Sequence, residues 1–236
     1  MTSALHPSPL TPHGFFITGT DTGVGKTYAA CLLIESLKRR GLRVAAMKPV
    51  AAGVGADGVN EDVRLLMAAA NVRAPRELVN PYCPAPAIAP HIAAQQAGVS
   101  MSLDRIADAY ARLAAQADVV VMEGAGGFLV PLNGACGMDE IPRRLKLPVV
   151  MVVGLRLGCL THALLTEEAI RARGLPLAGW IANGIDPDME AAEENLDSLR
   201  NILRSPCLGE IPPSGSSIER AADSVALILK AVGLDE

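Results

Sequence analysis

Hydrophobic and polar positions along the chain form two patterns that alternate. Short apolar runs rich in β-branched residues, such as 119–122 and 149–153, are continuous and not interrupted by polar residues. Strands that are buried on both faces of a parallel sheet have this pattern. The predicted strands are residues 15–18, 43–47, 119–122, 149–153 and 177–182.

Between these runs the apolar residues recur with helical spacing. Residues 27–40 are the clearest case, because their apolar side chains are spaced to share one face. Arg39 and Arg40 occupy the last turn, and Gly41 ends the segment. The predicted helices are residues 27–40, 60–70, 103–117, 161–173, 189–203 and 217–232. The alternation of strands and helices predicts an α/β fold with a doubly wound, mostly parallel sheet.

Two stretches depart from the regular pattern. Residues 1–13 carry Ser, Pro and His without periodicity, and we expect a flexible leader there. Residues 75–90 contain five prolines, so we expect an ordered surface loop instead of a helix or strand. No repeat or linker divides the remainder, and residues 14–236 are predicted to form a single domain.

The composition narrows the class of protein. The 236 residues are 50% hydrophobic and 3% aromatic, with a net charge of −4. This hydrophobic share excludes disorder of the whole chain, and the scarcity of aromatic and clustered basic residues argues against a nucleic-acid partner. No signal peptide or membrane-spanning stretch is visible, and the five cysteines form no paired or metal-binding pattern. We therefore expect a cytoplasmic protein with free thiols and no membrane partner.

Candidate chemistry begins between the first predicted strand and the first predicted helix. Residues 19–27 read Gly-Thr-Asp-Thr-Gly-Val-Gly-Lys-Thr. In such a turn, glycines let backbone amides face phosphate oxygens, Lys26 reaches the β- and γ-phosphates, and the Thr27 hydroxyl can hold Mg²⁺. The first glycine lies one residue earlier than in the standard P-loop spacing, yet strand, loop, Lys-Thr pair and helix all occur in order. The sequence therefore predicts a phosphate-binding loop in a fold like that of P-loop NTPases.

Two further candidates stand at the ends of other strands. Glu123 follows the apolar run 119–122 and precedes a glycine-rich turn at 124–127. A carboxylate in that place is a usual partner of Mg²⁺ beside a phosphate loop, and the turn offers backbone amides to an anion. Lys48 ends the second predicted strand, where a lysine can face the ligand crevice of an open α/β sheet. Spacing alone does not distinguish this lysine from an ordinary surface lysine.

Taken together, these motifs resemble those of dethiobiotin synthetase. The matching segments are residues 18–27, 48–53, 80–82, 89–91, 121–127, 157–163, 179–183 and 208–212. They occur in family order and cover nearly the whole chain. The phosphate loop alone is common to many ATPases, whereas the combination is highly specific.

This resemblance implies an ATP- and Mg²⁺-dependent enzyme that closes a cyclic urea. Members of the family convert 7,8-diaminononanoate and CO₂ to dethiobiotin, the penultimate step of biotin synthesis. One amine forms a carbamate, ATP phosphorylates it to a carbamic-phosphoric anhydride, and the second amine then displaces phosphate. Family members are homodimers in which the tail of the substrate reaches the partner subunit.

The resemblance also implies a role for individual residues. The Mg²⁺ ligands would be Thr27, Asp62 and Glu123, and the catalytic residues Lys48, Lys26 and Thr22. The nucleotide- and cofactor-binding residues it implies are Gly23, Val24, Gly25, Lys26, Thr27, Tyr28, Asp62, Glu123, Gly124, Ala125, Gly126, Asn183, Gly184, Pro212, Pro213 and Ser214. The substrate-binding residues it implies are Lys48, Ala52, Gly126, Gly127, Leu157, Gly158 and Thr161.

The chain departs from the family pattern at a few positions. Ala52 stands where relatives often have a hydroxyl side chain, Thr161 where some have Asn, and Gly23 where some have an acidic residue. Asn183 is followed by Gly184 and not by the acidic residue of some relatives. These departures concern the affinity for the substrate more than the type of reaction.

Three other functions share parts of this pattern. The main alternative is a nucleotide-switch ATPase of the partitioning class, but such proteins usually carry a lysine early in the loop, where this chain has Asp21. An amidating enzyme of the cobyrinate-diamide type needs a glutaminase domain, for which we expect no room in 236 residues. A non-catalytic synthetase-like module would not need Lys26, Lys48, Asp62 and Glu123 together.

Overall fold

The computed structural model describes residues 14–134, 136–213 and 230. Its strands are β1 Gly14–Gly19, β2 Val44–Met47, β3 Val119–Glu123, β4 Val149–Leu155, β5 Leu177–Gly184 and β6 Cys207–Ile211. Its helices are α1 Lys26–Arg39, α2 Glu61–Ala69, α3 Arg76–Val79, α4 Pro90–Gln96, α5 Leu103–Ala114, α6 Glu140–Leu145, α7 Cys159–Ala172 and α8 Ala192–Ile202. The predicted leader 1–13 and, apart from residue 230, the predicted helix 217–232 lie outside the described residues.

The six strands form one parallel sheet in the order β2-β3-β1-β4-β5-β6. The chain builds one half of the sheet on one side of β1 and the other half on the opposite side, so the direction of winding reverses at β1. Open α/β sheets bind ligands outside the carboxyl ends of the strands at such a reversal. The predicted α/β class and doubly wound parallel sheet are confirmed.

Apolar side chains build one core on each face of the sheet. Phe15 and Ile17 join the core that contains Ile34 of α1, whereas Phe16 joins the core that contains Leu113 of α5 and the buried face of α7. Neighbouring residues of β1 point to opposite faces because side chains alternate along a strand. Every residue of β1, β3 and β4 is buried, which explains their continuous apolar sequences.

The structure corrects the element predictions in a few places. The proline-rich stretch 75–90 is not a loop throughout: it contains the one-turn helix α3, and Pro90 begins α4. Proline is tolerated at such helix starts because the first amides have no partner within the helix. Helix α6, which contains Pro142, and edge strand β6, which contains Gly209, were not predicted at all. In the described part of the chain, no helix is both long and apolar enough to span a membrane.

Candidate active site

The phosphate loop leaves β1 at Gly19 and enters α1 directly. Gly23 and Gly25 have φ angles of 76° and 84°, a left-handed conformation that glycine adopts without strain. A Cβ atom at Gly25 would lie 2.1 Å from Nδ2 of Asn183, which itself donates to the carbonyl oxygen of Val24 at 2.9 Å. The shape of the loop therefore depends on glycine and on a side chain from the neighbouring half of the sheet.

Lys26 folds back over the loop. Its Nζ atom donates to the carbonyl oxygen of Asp21 at 2.8 Å, and burial lowers the pKa of the ammonium group to about 8. An anion in the loop would favour the charged form of this lysine. The carboxylate of Asp21 pairs in turn with Arg156, which directly follows β4. The pair ties this side of the loop to the sheet.

Four side chains meet beside the loop and form what we call the ion cluster. Glu123 ends β3, Lys48 follows β2, Asp62 lies in the first turn of α2 and Thr27 in the first turn of α1. Nζ of Lys48 donates to Oε1 of Glu123 at 2.5 Å and to Oδ2 of Asp62 at 2.8 Å. Oγ1 of Thr27 donates to the same oxygen of Glu123 at 2.9 Å. The cluster thus joins both strands to both helices.

Burial makes the ion cluster electrostatically strong. The side chains of Lys48 and Glu123 are 4% and 1% exposed, and charges removed from water interact strongly. Burial raises the pKa of Glu123, and Lys48 offsets only part of that shift. Burial opposes the charge of Lys48 as well, but Glu123 and Asp62 outweigh it and raise its pKa. Oε2 of Glu123 is buried without a hydrogen-bond partner in the described structure, so one acceptor of the cluster is unused.

A cavity of about 870 Å³ opens over the ion cluster and the phosphate loop. Its volume is in the range of small-molecule sites. The predicted site residues in its walls are Thr22, Gly23, Gly25, Lys26, Thr27, Tyr28, Lys48, Ala52, Asp62, Glu123, Ala125 and Gly126. The three predicted catalytic residues and the three predicted metal ligands therefore share one cavity at the carboxyl ends of the strands.

A second cavity of about 330 Å³ lies beside the ends of β4, β5 and β6. Its walls include Gly184, Pro212 and Pro213 of the predicted nucleotide-binding residues. Asn183 lies between the wall residues Ala182 and Gly184 and donates to the carbonyl oxygen of Val24, so its side chain joins β5 to the phosphate loop. Ser214 lies outside the described residues.

Three predicted residues lie beneath or beyond the large cavity. Val24 is buried in the core on the α1 face of the sheet. The backbone amide of Gly124 donates to the carbonyl oxygen of Ile17 at 2.9 Å and is not available to an anion. The prediction of a free amide at this position is therefore wrong. Gly127 follows in the turn, outside the cavity wall that the described residues form.

Leu157, Gly158 and Thr161 are exposed at the surface around the start of α7. Leu157 is 93% exposed, and the three residues do not belong to the described walls of either cavity of their own chain. The structure therefore does not bring these predicted substrate-binding residues to the ion cluster of the same chain.

Seven cavity-lining residues were not predicted as site residues: Asn60, Leu65, Ala87, Ile88, Ala89, Pro90 and Val130. Asn60 is the N-cap of α2, since its Oδ1 atom accepts from the backbone amide of Val63 at 3.3 Å. An asparagine at the start of a predicted helix is a recognisable cap signal and could have drawn attention to it. Leu65 and Ile88 are partly exposed apolar residues, which carry no comparable signal in a sequence.

Comparison with known proteins agrees with this geometry. A family model described as an AAA domain (AAA_26) matches residues 13–220. "ATP-dependent dethiobiotin synthetase BioD" of Aromatoleum aromaticum is 48% identical over 220 residues, which cover 92% of this chain and 98% of that protein. The protein of the same name from Nitrosospira multiformis is 51% identical over 199 residues, covering 84% of this chain and 88% of that protein. The chain belongs to the dethiobiotin synthetase family.

Solved structures with the same fold relate this dethiobiotin synthetase family member to P-loop ATPases. A ParA family ATPase from Chlorobium tepidum TLS has a TM-score of 0.57 at 14% identity, covering 95% of this chain and 93% of that chain. A plasmid partition protein from Borrelia burgdorferi has a TM-score of 0.57 at 12% identity, covering 94% and 100%. Identities this low show the fold alone. They confirm the predicted P-loop NTPase-like fold and do not favour the nucleotide-switch alternative.

Proposed function

We propose that this chain is an ATP-dependent dethiobiotin synthetase, a ligase that joins CO₂ to both amines of 7,8-diaminononanoate. The observation that carries the proposal is the ion cluster beside the phosphate loop, in a chain 48% and 51% identical to two proteins of that name. The reaction phosphorylates a carbamate, so it brings several negative charges together. A buried lysine next to a phosphate loop meets that demand.

The phosphate loop is proposed to hold the β- and γ-phosphates of ATP. The backbone amides around Gly23 and Gly25, the N-terminal end of α1 and the ammonium of Lys26 all favour anions there. Lys26 would exchange the carbonyl oxygen of Asp21 for phosphate oxygens. Thr22 lines the same wall and is proposed to orient the reacting groups.

Lys48 is proposed to bind the carbamate that receives the phosphoryl group. Its Nζ atom is fixed by Glu123 and Asp62, so a carbamate oxygen that it contacts is held with little freedom. The same ammonium would stabilise the negative charge that spreads over the transferred group. Ala52 and Gly126, also in the cavity wall, are proposed to contact the diamine.

The site residues fit Mg²⁺, which we propose as the metal. Thr27, Asp62 and Glu123 offer the oxygen donors that this ion prefers, and Oε2 of Glu123 is a buried acceptor without a partner. No group of three His, Cys, Asp or Glu side chains converges among the described residues, so the protein alone would not complete the coordination. When bound with ATP, the ion supplies neutralisation of phosphate charge.

The proposed reaction has three steps. One amine adds to CO₂ and loses a proton, which forms the carbamate. A carbamate oxygen then attacks the γ-phosphorus of ATP in line, and ADP leaves. The second amine attacks the carbonyl carbon of the mixed anhydride and loses a proton, phosphate leaves, and the cyclic urea of dethiobiotin remains. The products are dethiobiotin, ADP and phosphate, with one ATP used for each ring closed.

The cavity of about 330 Å³ is proposed to receive the adenine of ATP. Its walls include Gly184, Pro212 and Pro213, and Asn183, which precedes Gly184, donates a hydrogen bond to the phosphate loop. A flat base stacks well against such small and apolar surfaces.

We also propose that the enzyme is a homodimer of the cytoplasm. Leu157 and Leu165, at the start and on the outer side of α7, are 93% and 60% exposed, and exposed apolar side chains that share one element are a feature of protein–protein interfaces. A dimer through this surface would carry Leu157 and Thr161 towards the cavity of the other subunit. The cytoplasm is proposed because the five cysteines form no paired pattern in the sequence, which is typical of proteins in a reducing compartment.

The decisive experiment is phosphate release from MgATP with and without 7,8-diaminononanoate plus bicarbonate, with dethiobiotin followed by mass spectrometry. We expect release to require the diamine and to yield one dethiobiotin for each phosphate. Slow hydrolysis that is indifferent to the diamine would contradict the proposal and favour the nucleotide switch.

A further inference from the structure

Asn60 makes more contacts than a helix cap requires. Its Oδ1 atom accepts from the amide of Val63 and so caps α2. At the same time its Nδ2 atom donates to the carbonyl oxygen of Gly53 at 2.8 Å and to that of Ala52 at 3.3 Å. The acceptor of this side chain therefore serves the helix, and its donor serves a separate segment of the chain.

The carbonyl oxygens that receive this donor belong to residues 52–53, of which Ala52 lines the cavity. The amide of Ala51 donates to the carbonyl oxygen of Tyr82 at 2.9 Å, and that of Gly53 to Pro84 at 3.1 Å. Gly53 has a φ of 84°, and a Cβ atom there would lie 2.8 Å from that of Ala87, another wall residue. Residues 51–53 are thus bonded on one side to the segment 82–84 and on the other to Asn60.

The helix that Asn60 caps carries part of the ion cluster. Asp62 lies two residues after Asn60 and accepts from Lys48. Asn60 therefore connects, within one side chain, the main chain of Ala52 to the helical turn that holds Asp62. Both Ala52 and Asp62 line the large cavity.

We propose that Asn60 is a positioning residue for the diamine. It holds the main chain of residues 52–53 at a fixed distance from Asp62, and so fixes the part of the cavity wall at Ala52 relative to the ion cluster. The inference rests on the proposed function for the identity of the substrate. Main-chain positions in a cavity wall matter because small displacements of a bound substrate reduce the rate of reaction strongly. Asn60 makes no hydrogen bond with the phosphate loop in the described structure, so a variant that keeps the cap of α2, and with it the position of Asp62, should bind ATP normally.

The Asn60→Ser variant separates the two roles. A serine hydroxyl caps a helix about as well as asparagine does, but it is too short to reach the two carbonyl oxygens. We expect a melting temperature within about 3 °C of the parent, because the cap is kept. We expect the KM for the diamine to rise about tenfold, while the Kd of a non-hydrolysable ATP analogue changes less than about twofold. Hydrogen exchange of the peptide that contains residues 51–55 should become faster.

The Ser102→Ala variant is the matched control. Ser102 caps α5, where its Oγ atom accepts from the amide of Arg105 at 3.4 Å, and it does not line either cavity as described. Its loss should lower stability without changing the KM for the diamine. The Asn60→Ala variant, which loses cap and donor together, should show both effects.

Two outcomes would overturn the positioning role: an unchanged diamine KM in Asn60→Ser, or unchanged exchange in residues 51–55. The exchange measurement needs no turnover, so it tests the tether even if the parent protein forms no dethiobiotin. A parent protein that forms no dethiobiotin would instead contradict the proposed function. The two failures are therefore distinguishable.

Discussion

Lys48 keeps its charge in a nearly dry site because two carboxylates contact its Nζ atom. Methionine has a similar length and no charge, so the Lys48→Met variant leaves Glu123 buried without its cation. Removing one partner of a buried pair costs about 3–5 kcal/mol, and we expect a loss in this range in the free energy of unfolding, measured by urea denaturation. Because the same ammonium is proposed to bind the carbamate, kcat should fall by about a hundredfold to a thousandfold in the phosphate-release assay.

A second substitution separates these two effects of Lys48. The double variant Lys48→Met, Glu123→Gln has no unpaired buried charge, so it should recover most of the lost stability but none of the activity. If Lys48→Met alone has the same free energy of unfolding as the parent, the ion pair between Lys48 and Glu123 does not contribute to stability. Turnover near that of the parent would remove Lys48 from the mechanism.

At the level of single residues, the sequence alone predicted those site residues whose position depends only on neighbouring segments of the chain. Lys26 and Thr27 follow from a strand, a glycine loop and a helix that are consecutive in the chain, and Glu123 from an apolar run that ends in a carboxylate. Asp62 and the burial of Lys48 depend on contacts between segments that are far apart in sequence, and only the family resemblance pointed to Asp62. Free amides were predicted at Gly124 from glycine content, but a strand pairing that the turn itself does not reveal uses that amide.

Strands β2 and β3 are joined at their starts by one carboxylate. Asp118, just before β3, accepts from the backbone amide of Arg43 at 2.7 Å and from its guanidinium group at 2.6 Å. We expect the Asp118→Asn variant to lose about 1 kcal/mol in the free energy of unfolding at pH 7, because the exposed part of the pair is screened by solvent.

The same pair has a defined pH dependence. Hydrogen bonds from the side chain and backbone of Arg43 lower the pKa of Asp118. The contribution of the carboxylate is therefore complete above its unfolded pKa of about 3.9 and disappears as the pH falls through the lower folded pKa. Urea denaturation at pH 7 and pH 3.5 should show the difference between parent and variant shrinking at the lower pH.

The Asp197→Asn variant, which removes an exposed ion pair within α8, is the control and should change stability by less than about 0.5 kcal/mol. A loss equal to that of Asp118→Asn would mean that Asp118 has no special role.

Elements were predictable where burial is complete. Strands β1, β3 and β4 are buried along their whole length, so their sequences contain nothing but an apolar run and its ends. Among the described strands β6 pairs only with β5, and it is half buried, so its sequence mixes apolar and polar residues. The short helices α3 and α6 are stabilised by packing against neighbouring elements more than by their own periodicity, and one or two turns are too few for a pattern.

At the scale of the whole molecule, the sheet gathers the candidate site from distant parts of the chain. The ends of β1, β2 and β3 supply the phosphate loop, Lys48 and Glu123, and the ends of β4 to β6 supply the second cavity. Leu157 and Thr161 are the exception, because they are exposed and do not belong to the described walls of either cavity of their own chain. The proposed dimer would let them contact substrate in the cavity of a second subunit.

If the proposed dimer shares its substrate site, a variant that prevents dimerisation should bind the diamine poorly and still bind ATP. A glutamate at Leu165, which is 60% exposed on α7, would place a charge in the proposed interface without touching either described cavity. We expect the parent to have twice the mass of one chain by light scattering and the Leu165→Glu variant to have the mass of one chain. The variant should bind an ATP analogue normally, while its KM for the diamine rises by about tenfold or more. Val99→Glu adds the same charge at another exposed apolar residue and should remain a dimer; a monomeric parent with full activity would exclude a shared site.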